Sequence, residues 1–160
     1  MFLHIDVFKC VVKNTPLISI DFVVKKENKY LLGKRVNPPA KGYYFTIGGR
    51  IFKNETIENA QKRILKEELN ISVNYNMEFI GVFEHFYKDS IFGDDISTHY
   101  INLAYLLEMN ELDIDYFPYK QHSEYKLYSY EDIINNKRVH KYVKKTFKTA
   151  KEKGIIWAKK

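Results

Sequence analysis

Apolar positions along this chain follow two periods, one of strands and one of helices. Residues 16–24 read Pro-Leu-Ile-Ser-Ile-Asp-Phe-Val-Val, a β-rich run that predicts a strand buried on both faces, with Asp21 as a polar intrusion. A carboxylate inside an apolar run is costly unless it is paired or used in chemistry. Residues 26–29 form a turn signal, and residues 30–35 read as the second arm of a hairpin. Consecutive prolines at 38 and 39 make 37–42 a loop, because proline cannot donate to a sheet ladder. Residues 43–47 resume as a strand expected to stop at Gly48-Gly49. From Thr56 the period changes: Ile57, Ala60, Ile64, Leu65 and Leu69 fall on one helical stripe. Two long strands follow at 78–87 and 98–108, joined by a polar loop, 88–97, placed to act as a lid. Residues 125–128 read as a short strand beyond a loop around Pro118, and 139–153 as a terminal helix. This order predicts an α+β fold, a mixed sheet with helices packed against it.

The chain has 160 residues, 13 Tyr and 11 Phe among them, enough large apolar surface for one core, and a single domain over 1–160 is expected. Cys10 is the only cysteine, so no intrachain disulfide forms. Residues 1–13 carry His4, Asp6 and Lys9 and hold no apolar run of signal-peptide length; with the lone thiol this gives the expectation of a cytoplasmic protein. No stretch approaches the ~18 apolar residues of a membrane span. The net charge of +6 is confined to one segment: residues 137–160 hold ten of the 26 basic residues and one acid, Glu152, while 1–136 carry 16 basic against 19 acidic. A basic terminal helix with a solvated face is the expectation, with no membrane role and no nucleic-acid partner.

The candidate chemistry lies between Gly49 and Ile71. Five residues separate Gly49 from Glu55, seven more separate Glu55 from Arg63, and the run continues Ile64, Leu65, Lys66, Glu67, Glu68, Leu69, Asn70, Ile71. On a helix Arg63 stands four residues before Glu67 and can orient it, and adjacent carboxylates at 67 and 68 are hard oxygen ligands suited to Mg²⁺ or Mn²⁺. Glycines at 48 and 49 let the backbone approach an ion closely. This run resembles the Nudix box at Gly49, Glu55, Arg63, Leu65, Glu67, Glu68 and Ile71, and departs from it at Ile64, where the pattern has Glu, and Asn70, where it has Gly. Beyond the box, 1–3, 15–17, Asp21-Phe22, 31–35, 48–50, 85–87, 98–100 and Gln121-His122 resemble the GDP-mannose mannosyl hydrolases of that superfamily.

The resemblance implies the Nudix fold, a mixed sheet sandwiched between helices, and hydrolysis of GDP-mannose or GDP-glucose to GDP and free sugar by inverting attack of water at the anomeric carbon. It implies one Mg²⁺ or Mn²⁺ per site, held with the diphosphate by the Gly48 carbonyl, Glu68 and Gln121, with Glu67 as an additional carboxylate. Arg35, Arg50 and Tyr100 are implied to hold the departing diphosphate, and Arg63 and His85 to stand on the substrate side. Asp21 is implied to face positive character at the sugar carbon, His122 to take the proton from water, and the assembly to be a homodimer. Two other readings stay open: a conventional pyrophosphohydrolase attacking phosphorus, favoured by Glu67-Glu68 and opposed by Ile64, and a non-catalytic nucleotide-sugar-binding module. Taken alone, His122 in its polar loop reads as a solvated histidine, Arg35 and Arg50 as surface charges, and Tyr100 as a packing residue.

Overall fold

A computed structural model describes residues 2–72 and 74–157. Residues 158–160 of the expected basic segment therefore lie outside the described residues. The elements run α1 (Ile5–Asn14), β1 (Leu17–Lys26), β2 (Lys29–Arg35), β3 (Tyr44–Phe45), β4 (Ile47–Arg50), α2 (Ile57–Leu69), β5 (Met77–Tyr87), β6 (Thr98–Glu108), a 3₁₀ turn at Ile114–Tyr116, β7 (His122–Tyr128), α3 (Tyr130–Asn135) and α4 (Lys141–Glu152).

The sheet order is β3-β2-β1-β6-β5, with β4 also on β1 and β7 on β2. β1 and β6 are parallel and every other pair is antiparallel, so the sheet is mixed as expected. Alternation along β1 sorts its side chains onto two faces. Ile20, Phe22 and Val24 join Ala60, Ile64, Leu65 and Leu69 of α2 in one core layer. Val23 joins Ile133 of α3 and Val143, Phe147 and Ala150 of α4 in the other. Helices thus cover both faces, which is the sandwich the sequence implied.

β2 leaves β1 soon after the hairpin, with the register holding only at Lys25–Tyr30 and Lys26–Lys29. The edge of β1 that β2 vacates is taken by β4, which pairs Ser19 with Arg50 and Asp21 with Gly48. The expected single strand at 43–47 is accordingly two, exchanging β2 for β1 as partner at Thr46. It also does not stop at the glycines but runs through them to Arg50, since both glycines are ladder residues opposite β1.

Other expectations need correction. Ile57 is 45 % exposed, so the buried stripe of α2 begins at Ala60. β7 starts at His122, before the expected 125, because residues 122–128 pair with β2 across a β-bulge. Helices α1 and α3 were not anticipated. α3 is short and held by a capping box between Ser129 and Asp132, while α1 turns inward only Phe8, Val11 and Val12. Asn70, in the glycine position of the box, adopts φ 56° and closes α2 with its N–H on the Leu65 and Lys66 carbonyls. Asparagine tolerates this left-handed cap, so the departure from glycine is conformationally silent.

Candidate active site

Where β2 and β4 diverge, a cavity of about 260 Å³ opens, lined in part by Asp21, Arg35, Gly48, Arg50, His85, Tyr100 and Gln121. Seven of the expected site residues therefore line one cavity. The register explains the convergence: Leu17, Ser19 and Asp21 lie opposite Tyr100, Asn102 and Ala104 on β6, and His85 pairs with Tyr100. Alternate residues of neighbouring strands project to one face, and this is the face that α4 leaves open beyond Val23.

Asp21 is 8 % exposed. Burial pushes its carboxyl up to about 7, against the lowering effects of Thr46, Asn102 and Arg35. Asn102 is itself fully buried and donates to the Ser19 hydroxyl at 2.8 Å. Opposite stand the cations. Arg35 donates from Nε to the Pro39 carbonyl at 2.9 Å, which anchors the proline loop over the cavity. Arg50 is half-buried, and desolvation lowers its pKa. Burial raises the Tyr100 phenol, so it meets a ligand as a neutral donor. His85 is buried, held at about 4 chiefly by desolvation, and stacked on Tyr142 with ring centroids 4.3 Å apart.

The box helix divides its two carboxylates. Glu68 continues the buried stripe one turn after Ile64, and accepts a 2.6 Å bond from the Gln121 side-chain amide. Burial raises it to about 7, with Arg35 lowering it. Glu67 is 50 % exposed and turns to Arg63, whose Nη1 donates to it at 3.0 Å. Arg63 does not line the cavity. Its guanidinium also grips Glu55 by bonds of 2.7 and 2.9 Å and the Arg50 carbonyl at 2.7 Å, leaving it little to offer a substrate. It holds the box loop to the helix, with Arg50 fixed through its own backbone. Ile64 is 1 % exposed and packs beneath Gly49, where a Cβ would stand 3.0 Å from Ile64 Cγ1. An apolar residue here fills the core in place of a further acid.

His122 is not the solvated loop residue that its surroundings in the sequence suggest. It is 1 % exposed, with its ring against Gly33 so closely that a Cβ there would stand 2.5 Å from Cδ2. Nδ1 lies 3.6 Å from Glu68 and 3.4 Å from the Tyr125 hydroxyl, while Nε2 has no partner. Burial first, then Arg35, lowers its pKa to about 4. Like Glu68 it lies outside the cavity lining, next to Gln121, which is part of that lining.

The donors available to a divalent cation are hard oxygens: the Glu68 carboxylate, the Gln121 side chain and the Gly48 carbonyl. Among the described residues no group of three or more His, Cys, Asp or Glu side chains is clustered to hold a metal. The set fits one ion of the Mg²⁺ or Mn²⁺ type that completes its shell with phosphate and water, since such ions commonly take only one or two protein carboxylates. The buried Glu68 supplies negative charge for it.

Sequence reading overlooked several residues here. Ser19 was legible as the residue two before Asp21 on the same strand face. Phe8 and Val12, which line the cavity, sit on the i, i+4 stripe of α1. Phe45 also lines it but left no local signal, while Tyr87 belongs to the matched run 85–87 and Ser90 and Ile91 to the loop expected as a lid.

No helix among the described residues is long and apolar enough to cross a membrane. The chain is 38% identical over 144 residues to the low-salt glycan biosynthesis protein Agl8 of Haloferax volcanii, spanning 88% of this chain and 85% of that protein. It is 31% identical over 94 residues to an ADP-ribose pyrophosphatase of Methanocaldococcus jannaschii, spanning 59% and 52% of the two chains. Its fold matches the MutT Nudix hydrolase of Burkholderia pseudomallei with a TM-score of 0.68 at 20% identity, over 85% of this chain and 98% of that one. The family pattern described as the NUDIX domain covers residues 16–149. With that span matched, the box strand, loop and helix in place and the mixed sheet sandwiched by helices, the chain belongs to the Nudix hydrolases.

Proposed function

We propose that this Nudix hydrolase releases free sugar and nucleoside diphosphate from a GDP-mannose or GDP-glucose type substrate, by attack of water at the anomeric carbon. The observation that carries this reading is the placement of Asp21 in one cavity with Arg35, Arg50 and Tyr100, while a single carboxylate of the box helix, Glu68, is bonded to Gln121 of the cavity lining. A leaving diphosphate gains negative charge, and two guanidiniums and a neutral phenol stabilise that charge more in the transition state than in the ground state. Mg²⁺ or Mn²⁺, held by Glu68, Gln121 and the Gly48 carbonyl, would neutralise the same charge.

The proton of the attacking water needs a base within reach. The resemblance gives it to His122, which the structure seats behind Gly33 and outside the cavity lining. Asp21 stands in the wall with a carboxyl near neutrality, so we assign it both tasks: to take that proton and to face the developing oxocarbenium character. His122 then serves by packing against Glu68. His85 contacts the sugar from the β5 side.

The pyrophosphohydrolase reading keeps one observation in its favour, the pyrophosphatase relative. Against it, the second box carboxylate is engaged by Arg63 and the position of a further one is a buried isoleucine. Turnover of GDP-mannose with Mg²⁺ in ¹⁸O-labelled water separates the two. Label in free mannose beside unlabelled GDP is the expected result; GMP with labelled phosphate products would replace this reading with attack at phosphorus. The resemblance to Agl8, a protein named for glycan biosynthesis, supports a nucleotide-sugar substrate.

A further inference from the structure

Helix α1 precedes residues 16–149, the span of the family domain, yet it forms part of the cavity wall through Phe8 and Val12. Among residues 2–10 every side chain is exposed except Phe8. Its ring meets two partners. The Arg50 guanidinium carbon lies 4.0 Å from its centroid, and the ring of Phe92, in the turn closed by reciprocal Ser90–Gly93 backbone bonds, lies 5.7 Å away. The ionisable groups acting most on Arg50 are Tyr100 and Arg63 rather than a carboxylate. The Phe8 ring presents the negative face of its π-system to this guanidinium.

A guanidinium stacked on a ring keeps its in-plane N–H donors free. Arginine otherwise has many rotamers, and fixing them on binding reduces affinity. The Arg50 backbone is already tied, through its carbonyl, to Arg63. Phe8 supplies what the backbone bond cannot, a fixed direction for the side chain.

We propose that Phe8 is a positioning residue for Arg50: its ring holds the guanidinium edge-on to the cavity, so that α1 belongs to the machinery that grips the diphosphate. The proposal rests on the reading that Arg50 holds the diphosphate. Through Phe92 the same ring ties α1 to the 88–97 loop, whose Ser90 and Ile91 also line the cavity. Binding of a diphosphate thus engages α1, β4 and that loop together.

The test is a double-mutant cycle read by calorimetric titration with GDP and with inorganic pyrophosphate, each with Mg²⁺, and with thermal midpoints recorded for every variant. Phe8→Leu and Phe8→Met, two ring-less side chains, are expected to weaken both ligands roughly five- to thirtyfold, as loss of a desolvated cation–π contact should. Phe8→Trp, which keeps a ring, is expected to restore binding. In an Arg50→Ala background the ring-less changes should have no further effect. Equal losses with and without Arg50 would overturn the proposal, by making Phe8 a ligand contact or a mere wall. So would unaltered affinity in folded Phe8→Leu and Phe8→Met. If Arg50→Ala alone bound pyrophosphate like the wild type, the diphosphate reading would itself fail, and that single variant reveals it without reference to Phe8.

Discussion

In the proposed reaction Asp21 carries two tasks, as base and as the charge facing the sugar carbon. It sits opposite Gly48 in the β1–β4 ladder, where a Cβ would collide with its own Oδ1, so only glycine leaves room for the carboxyl. Asp21→Asn should lower kcat by roughly 10² to 10⁴ with GDP affinity retained, the size of a lost general base. Near-wild-type kcat in that variant would return the role to His122. Stability follows the same group. With a folded pKa of about 7 against 3.8 unfolded, the folded state holds an extra proton between those values. Its stabilising contribution is complete below pH ~4 and is lost as pH rises to ~7. Measured by urea unfolding without divalent ions, Asp21→Asn should therefore gain on the wild type across that window by about 1.4 kcal/mol per pH unit. His85 and His140, both held at about 4, act in the opposite direction and lose stability as pH falls from 6.5. The comparison with Asn cancels their contribution. Asp21 was legible in the sequence because an acid interrupts an apolar strand. His122 was misleading in isolation, because what buries it is the ring-to-backbone contact with Gly33, a residue 89 positions away in the chain.

Within the elements, helix α2 shows how one stripe serves both core and site. Ala60, Ile64, Leu65 and Leu69 bury against the sheet, and Glu68 lies on the same stripe, bonded to Gln121 of the cavity lining. Period 3.6 was enough to predict the helix and its inner face, and it also held a signal for Glu68, which stands four residues after Ile64. What it could not separate was the fate of adjacent carboxylates, since the partner of Glu67 is on the same helix and that of Glu68 lies 53 residues away in sequence. Ile64→Glu, which would recreate the family pattern, should not strengthen catalysis here. The new carboxylate would point into the layer under Gly49, and unfolding free energy should drop by at least about 3 kcal/mol. Retained stability together with a second bound Mn²⁺ would show instead that the pocket under Gly49 can open to a metal. Helices α1 and α3 escaped the sequence reading for a related reason: each shows only a short inward stripe, and their stability comes from caps and tertiary contacts that periodicity does not register.

At the scale of the whole molecule an ion held by the buried Glu68 would link ion binding to global stability. Glu68 must lose a proton to serve as a ligand, and burial raises its pKa to about 7. Mg²⁺ should therefore raise the thermal midpoint far more at about pH 8 than at about pH 5.5, with a gain near 2.7 kcal/mol at a hundredfold excess over Kd. An equal shift at both pH values would place the ion on other ligands. Of the basic residues in the terminal segment, Lys141, Lys145, Lys148 and Lys151 line the outer side of α4, which spans 141–152 rather than the expected 139–153, while Val143, Thr146, Phe147 and Ala150 seat it on the sheet. What charge counting could not show is where the two ends of α4 reach. The Tyr142 hydroxyl accepts from the Phe86 N–H at 2.7 Å and donates to the Phe86 carbonyl at 2.8 Å, and Lys153 Nζ donates to the Ile80 carbonyl at 2.7 Å beside the β-bulge between Phe79 and Gly81. β5 is the last strand in the sheet order, and Phe79, Val82 and Phe86 make it apolar and exposed. An open border of that kind invites strand addition by other chains, and here Tyr142 and Lys153 already engage three of its groups, the Phe86 N–H and carbonyl and the Ile80 carbonyl. The helix that completes one core layer thereby also shortens the stretch of β5 edge left open to sheet extension.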